Sequence, residues 1–470
     1  MTKPDHPIRK PIFSTETEHG FTVSSSSTSQ LLTPGAVISR MVNIARGKYP
    51  ANPFLENGAR IYVDAGDHPE YAAPECSTLA EIVAADTAGW MIYARAAEQT
   101  EKKYKEELGE DVKIGIYRNN VSANGQVWGS HENYLGRAET SWEEYAKYLG
   151  SHLASRIVVI GAGTLATRDG YIEPDGKYRL SQRAFPVERL LHTSAVTSSN
   201  PDGPKPMILV RNESHADPTR FRRIQVACGD TNMSEFSTYL KIGCTALAIH
   251  MIDAGLVPTI ELDNPVAALQ AYNGDPTLQE RAAAGSDTYS ALDVQESWLE
   301  MAIKYQDAHG LPNGLRGIVE VWGQTLTALR NDPQSLADKL DWVAKRTLLE
   351  TYAEREGRSL KDFRALRADL LYHSIRPDSL YRRLVATGRM QTVVSAQEAE
   401  AAITAPPLTT RAHERSEIIR RLQAAGRTVD VDWGRVNVVG ASHTFNLDDP
   451  TVVWKRGHLS NLQGLEEGKI

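Results

Sequence analysis

The sequence predicts an α+β protein, on three observations. Strand-like segments gather in the first 160 or so residues, a helix at about 234 to 254 and a stretch from about 291 to 371 are helical in composition and spacing, and a proline-marked boundary precedes a short C-terminal unit. At 470 residues the chain has room for one large domain with an appendage. Hydrophobic residues at 41% and charged residues at 24% are those of an ordinary globular core with a charged surface.

Residues 1 to 11 read as a tail, and Ile12 to Glu18 as a strand turned at His19-Gly20. The serine run from Ser24 to Ser29 reads as a loop. A second strand segment covers Phe54 to Asp64, with Asn57-Gly58 as its turn. Thr78 and Glu81 form a capping box that starts a helix with Leu79, Ile82 and Val83 on its apolar face. Strands are expected at Val112 to Tyr117 and at Ile157 to Ile160. A helix is expected from Ser234 to Ala254, stopped by Gly255, and more helix from Ala291 to Leu371. Ala405-Pro406-Pro407-Leu408 marks the boundary between a catalytic domain, 1–405, and a small C-terminal domain, 406–470, with a strand around Val429 to Trp433.

The formal charge of -7 and a pI near 6.0 give no basic footprint for nucleic acid. No run of about 18 apolar residues suits a membrane, and the polar start lacks the apolar core of a secretion signal, so a cytoplasmic protein is expected. Three scattered cysteines, Cys76, Cys228 and Cys244, read as reduced thiols.

The chemistry concentrates in two acidic strands. Strand side chains alternate, so Glu16 and Glu18 share a face at roughly 7 Å separation. Two such carboxylates repel by about 2.5 kcal/mol in a partly buried site of effective dielectric 20, a cost that cations remove. The same alternation puts Arg60, Tyr62 and Asp64 on one face, with Ile61 and Val63 behind, and Glu70 follows at a turn. Hard oxygen ligands of this kind suit magnesium shared with substrate phosphates. His131 and His215, each beside an acid, are further polar candidates. Arg183, Arg211, Arg222 and Arg223 could clamp phosphate or carboxylate. Gly161-Ala162-Gly163 after Ile160 fits a dinucleotide fingerprint, but the turn signals at Arg168-Asp169-Gly170 leave no helix to receive a pyrophosphate.

At these residues a family resemblance emerges. Ser14 to Gly20, Asn57 to Asp64, His68-Pro69-Glu70-Tyr71, Asn119-Asn120, His131 to Leu135, Ser181 to Ala184, His215-Ala216-Asp217, Gly229-Asp230 and Leu262 to Pro265 resemble, in order, the motifs of the Pup ligase and depupylase family. The likeness continues through Asp341-Trp342-Val343 to Trp433. It implies a large glutamine-synthetase-like domain, a curved antiparallel sheet packed by helices, plus the small C-terminal domain. It also implies ATP and Mg2+ as cofactors. Glu16, Tyr62 and Glu70 match magnesium positions, Asp64 the catalytic aspartate, and Arg60 and Trp433 ATP contacts, with Glu18, His131 and His215 as additional metal candidates.

The implied activity is ATP-dependent ligation of a carboxylate to an amine through an acyl phosphate. The carboxylate would belong to Pup, a small ubiquitin-like protein, or to a small molecule; the amine would belong to a protein lysine or a small molecule. The alternative is a depupylase-like amidase with bound nucleotide. A short segment between Gly20 and Asn57 and the run Val429 to Val436 resemble ligases. Pro74-Glu75 and Arg376 to Met390 resemble depupylases, and Ala73 and Val121 stand where ligases carry threonine.

Overall fold

The computed structural model describes residues 9–25, 32–47, 52–192, 205–210, 215–441 and 443–466. Arg211, most of the serine run and the first eight residues of the expected tail lie outside that set.

Nine strands form in the first half of the chain: β1 (Phe13–Glu18), β2 (Gly20–Ser24), β3 (Arg60–Asp64), β4 (His68–Ala72), β5 (Lys113–Tyr117), β6 (Ser130–Arg137), β7 (Val187–His192), β8 (Lys205–Val210) and β9 (Phe221–Val226). Seven of them build the main sheet in the order β3-β4-β1-β6-β9-β8-β7, antiparallel except for the parallel β7–β8 pair, while β2 and β5 form a separate ribbon. A hairpin, β10 (Arg281–Ala284) with β11 (Asp287–Ser290), and a three-stranded sheet, β12 (Val429–Asp432), β13 (Arg435–Val438) and β14 (His443–Asn446), complete the strands among the described residues. The expected α+β class is what the chain adopts.

Alternation along the strands sorts the main sheet into two faces. Phe13, Ile61, Tyr71, Tyr134 and Ile224 lie on one and are buried to 2% exposure or less. Helices Leu79–Leu108 and Glu235–Ala254 cover this face. The approach is close: a Cβ at Gly89 would fall 2.5 Å from the Tyr71 ring, so only glycine lets the helix settle there. Thr78 accepts from the Glu81 N–H while Glu81 accepts from the Thr78 N–H, which fixes the first helix start, and left-handed Gly109 ends it. Ser234 and Gly255 cap the second as expected. Glu132 of this face is buried in a pair: Arg156 binds both of its oxygens, at 2.6 and 2.8 Å.

Two expectations need correction. Ile157–Ile160 is a single turn of helix, not a strand. All four side chains are buried, and an apolar run without polar alternation carries no period by which strand and buried helix differ. Phe54 to Asp64 is likewise not one strand. Phe54 makes a lone bridge to Arg60 around the Asn57-Gly58 turn, where Gly58 has φ of 80°, and β3 starts at Arg60.

The C-terminal residues have a core of their own, built from Ile418, Leu422, Val436, Phe445, Leu462 and their neighbours. Phe54 reaches into it from the N-terminal part of the chain. Glu75 ties the two parts together: Arg411 Nε lies 2.7 Å from it and Arg415 Nη2 2.6 Å, all three groups being buried. The two guanidiniums outweigh desolvation and hold the Glu75 pKa down to about 2.

Candidate active site

The polar face of the sheet carries the acidic strands. β4 lies between β1 and β3, with Glu70 directly opposite Glu18 on one side and Tyr62 on the other. On the far side of β1, Glu16 pairs with His131 of β6. Five candidate residues drawn from four strands thus converge.

Ligand atoms of Glu16, Glu70 and His131 all lie within 4.8 Å of one another, as do those of Glu18, Asp64 and Glu70. Glu70 belongs to both groups, so the two candidate cation positions share a carboxylate. Gly129 makes room for Glu18, since a Cβ there would sit 2.3 Å from its Oε1.

The carboxyls are electrostatically unequal. Glu16 is desolvated, but Arg223 offsets this at 2.8 Å, His131 Nδ1 lies 3.2 Å away, and Asn133 and Gln225 donate at 3.1 and 2.9 Å. Its pKa stays well below the usual carboxylate range. Glu70 is pushed well above that range by burial and by the charges of Glu16, Glu18 and Asp64. Burial and the adjacent acids also raise the Tyr62 phenol, which stays protonated beside Glu70. A carboxyl crowded by three other acids is a setting whose repulsion a divalent cation would relieve. The donor set is all oxygen apart from His131, and it fits Mg2+.

Beside the acids a cleft runs from Glu16 and Arg223 to Trp433 of the C-terminal part. Arg60 stands near this end of the sheet, its guanidinium carbon 4.8 Å from the Tyr62 ring centroid. Its Nε is buried and has no hydrogen-bond partner. An orphaned guanidinium N–H beside an acid-rich site fits a polyphosphate. Trp433 is half-buried, packed edge-on against Phe54 at 5.1 Å and backed by Arg415 at 5.0 Å, so its ring offers an apolar surface to a planar base.

Two of the sequence candidates are not part of this constellation. Arg183 is buried and donates to the carbonyls of Trp128 and Ala227 at 2.8 and 2.7 Å, which turns its charge onto loop backbone. His215 joins neither acidic group. It occupies a left-handed turn with φ of 49°, its carbonyl accepts from Arg411, and it lines the Trp433 end of the cleft. Arg211 lies outside the described residues. Of the other arginines, Arg223 does clamp a carboxylate, that of Glu16, whereas Arg222 donates to the carbonyls of Thr140 and Ala138.

Sequence reasoning missed Gln225 and the Glu75–Arg411–Arg415 tie. Gln225 was accessible, because alternation from Arg223 puts it on the same face. The tie had only a faint signal, two arginines four apart on one helix. Gly161 to Gly163 holds no nucleotide site: the Ala162 N–H is taken by Asp230 at 2.8 Å and the Leu165 N–H by Asp369 at 2.7 Å.

The family model described as Pup-ligase protein matches residues 11–437. The chain belongs to the Pup-ligase family. Within this family it is 36% identical over 454 residues to a Pup--protein ligase of Acidimicrobium ferrooxidans, covering 94% of this chain and 96% of the relative. A Pup--protein ligase of Micrococcus luteus is 34% identical, with 96% and 97% covered. Among solved structures, the crystal structure of the complex between the prokaryotic ubiquitin-like protein Pup and its ligase PafA is similar at 30% identity. Its TM-score is 0.86, over 98% of this chain and 91% of that one. The structure of PafA in complex with ADP gives 29% identity and a TM-score of 0.79, over 94% and 96%. Among the described residues of this Pup-ligase family member, no helix is long and apolar enough to cross a membrane.

Proposed function

We propose that this chain is an ATP-dependent carboxylate-amine ligase that joins a glutamate side chain of Pup to a protein lysine. The Pup--protein ligase relatives, matched over nearly their whole length, support the reading. The observation that carries it is geometric: Glu70 shares its carboxyl between the Glu16–Glu70–His131 and Glu18–Asp64–Glu70 groups, with the unpartnered Arg60 N–H on the neighbouring strand.

Glu16, Tyr62 and Glu70 would hold Mg2+, with Glu18 and His131 completing the set. When bound, the ion supplies positive charge that neutralises the phosphate oxygens. Arg60 binds the phosphates through its unpartnered guanidinium edge and steadies the transferring phosphoryl group. Trp433 covers the base, which makes the C-terminal unit part of the nucleotide site. We take residues 1–405 as the catalytic domain and 406–470 as that small domain, and place the enzyme in the cytoplasm, where ATP is abundant.

Two displacements complete the reaction. The glutamate carboxylate attacks the γ-phosphorus and ADP leaves, giving an acyl phosphate. The lysine nitrogen then attacks the acyl carbon, inorganic phosphate leaves, and the amide forms. A lysine amine near pKa 10.4 is almost fully protonated at neutral pH, so the step needs a base. Asp64 is exposed at the end of β3 and next to the acidic cluster, where an incoming lysine can reach it. It takes the amine proton.

The test is an incubation of the chain with ATP, Mg2+, glutamate-terminated Pup and a lysine-bearing protein. The reading predicts one conjugate per ADP. Conjugate cleavage or Pup deamidation without ADP formation would replace it with the amidase reading.

A further inference from the structure

The last register pair of the β3–β4 hairpin sets His68 directly opposite Asp64, the carboxylate that takes the amine proton. Residues paired in this way point to one face of the sheet, with Cβ atoms about 4.5–5.5 Å apart. His68 belongs to neither acidic group that could hold a cation, so the metal cradle does not account for it.

Two contacts fix the ring. It stacks on the buried Trp128, at 4.8 Å between centroids and 27° between planes, and its Nδ1 lies 3.0 Å from the His19 carbonyl oxygen. A carbonyl only accepts, so Nδ1 carries the hydrogen, and Nε2 of the neutral ring presents a lone pair. Nε2 has no hydrogen-bond partner among the described residues. His19 follows β1, on one side of β4, which turns the Cδ2–Nε2 edge toward β3 and Asp64 on the other. The turn between the two strands leaves this edge uncovered. A Cβ at Gly66 would fall 3.2 Å from Cδ2 and 3.5 Å from Nε2, and φ of 83° also calls for glycine there. His68 is half-buried and Asp64 exposed, so an incoming side chain reaches both.

We propose that His68 positions the acceptor amine of the ligation, Nε2 accepting one N–H of the lysine while Asp64 takes the proton that the nitrogen gives up. The inference rests on the ligase reading above and adds a residue to its second displacement. The N–C bond forms as the C–O bond to phosphate breaks, phosphate keeps that electron pair, and the proton ends on Asp64. The imidazole gains none, because Nδ1–H stays with the His19 carbonyl. Two acceptors side by side select a primary amine, which carries an N–H for each. A ring that merely staples the start of β4 would need Nδ1 and the stack alone.

The experiment compares His68→Asn and His68→Gln with the unaltered chain. Asparagine keeps a donor near Nδ1 for the His19 carbonyl and offers nothing at Nε2, whereas glutamine brings its carbonyl oxygen to the Nε2 position. Conjugation is followed against the concentration of the lysine-bearing protein, and again with hydroxylamine in its place, a small nucleophile that takes the acyl group as a hydroxamate without being positioned. H68N should raise the KM for the lysine-bearing protein about tenfold, the scale of one hydrogen bond to a charged or strongly polar group, and H68Q should recover most of that loss. The KM for ATP and hydroxamate formation should change by less than about twofold in both, which also reports intact folding. An unaltered lysine KM in H68N, H68Q no better than H68N, or a parallel loss of hydroxamate formation or ATP affinity would overturn the proposal alone. Absence of ADP-coupled conjugate and hydroxamate with the unaltered chain would overturn the ligase reading, and this inference with it.

Discussion

Glu70 and Glu18 face each other across the β1–β4 ladder, two carboxyls in a register that strands normally avoid because like charges placed opposite are destabilising. Tyr62 and the charges of Glu16 and Asp64 close the site around Glu70. Burial and these charges push the Glu70 pKa well above the usual carboxylate range, and that shift has measurable consequences.

Binding of Mg2+ should release a proton, because the ion needs Glu70 as carboxylate. Calorimetry in two buffers of different ionisation enthalpy should show proton release, with affinity falling as pH is lowered. The linkage has a definite sign. A carboxyl whose folded pKa is raised stabilises the fold at low pH and loses that contribution as pH rises through the folded value. The melting-temperature gain from Mg2+ should therefore be larger at the alkaline end.

Glu70→Gln removes a titrating acid and leaves a similar shape. We expect the cation-free chain to keep or gain stability, by about 1 kcal/mol, and Mg2+ to lose its effect on the melting temperature. Denaturant unfolding with and without the ion measures both.

Arg60→Ala should raise the KM for ATP by about ten- to a hundredfold, the scale of one or two charge-assisted hydrogen bonds. The fold should stay intact, since the Arg60 Nε has no protein partner to lose. ADP-release kinetics against ATP concentration read the change.

Glu75→Gln should destabilise the chain by about 3–5 kcal/mol, because Arg411 and Arg415 would be left buried without a counter-charge. Here the pH sign is opposite to that of Glu70. A depressed carboxylate contributes stability above its unfolded pKa of about 4.3 and loses it as pH falls toward the folded value of about 2. Acid unfolding of the unaltered protein should thus be steeper across that window than that of the variant.

Much of the site was legible because strand alternation is a local rule. Glu16 with Glu18, and Arg60 with Tyr62 and Asp64, share faces whatever the rest of the chain does. Thr78, Ser234 and Gly255 act within one helical turn, so helix ends follow from neighbouring residues. Ile157 to Ile160 could not be read, since a wholly buried run has no period to distinguish it. Arg183 and Arg223 look alike as letters; only residues distant in sequence decide that one meets backbone carbonyls and the other Glu16. The raised pKa of Glu70 depends on bringing β1 and β3 against β4, a property of register that no single segment holds.

The central claim assigns the metal cradle to Glu16, Tyr62 and Glu70 and proton removal to Asp64. The most direct measurement is conjugation and ADP binding by Asp64→Asn, side by side with the unaltered chain. The account predicts conjugate formation lowered by about 10²- to 10⁴-fold, the usual worth of a positioned base, with nucleotide affinity changed little. Conjugation by Asp64→Asn at the unaltered rate would contradict it.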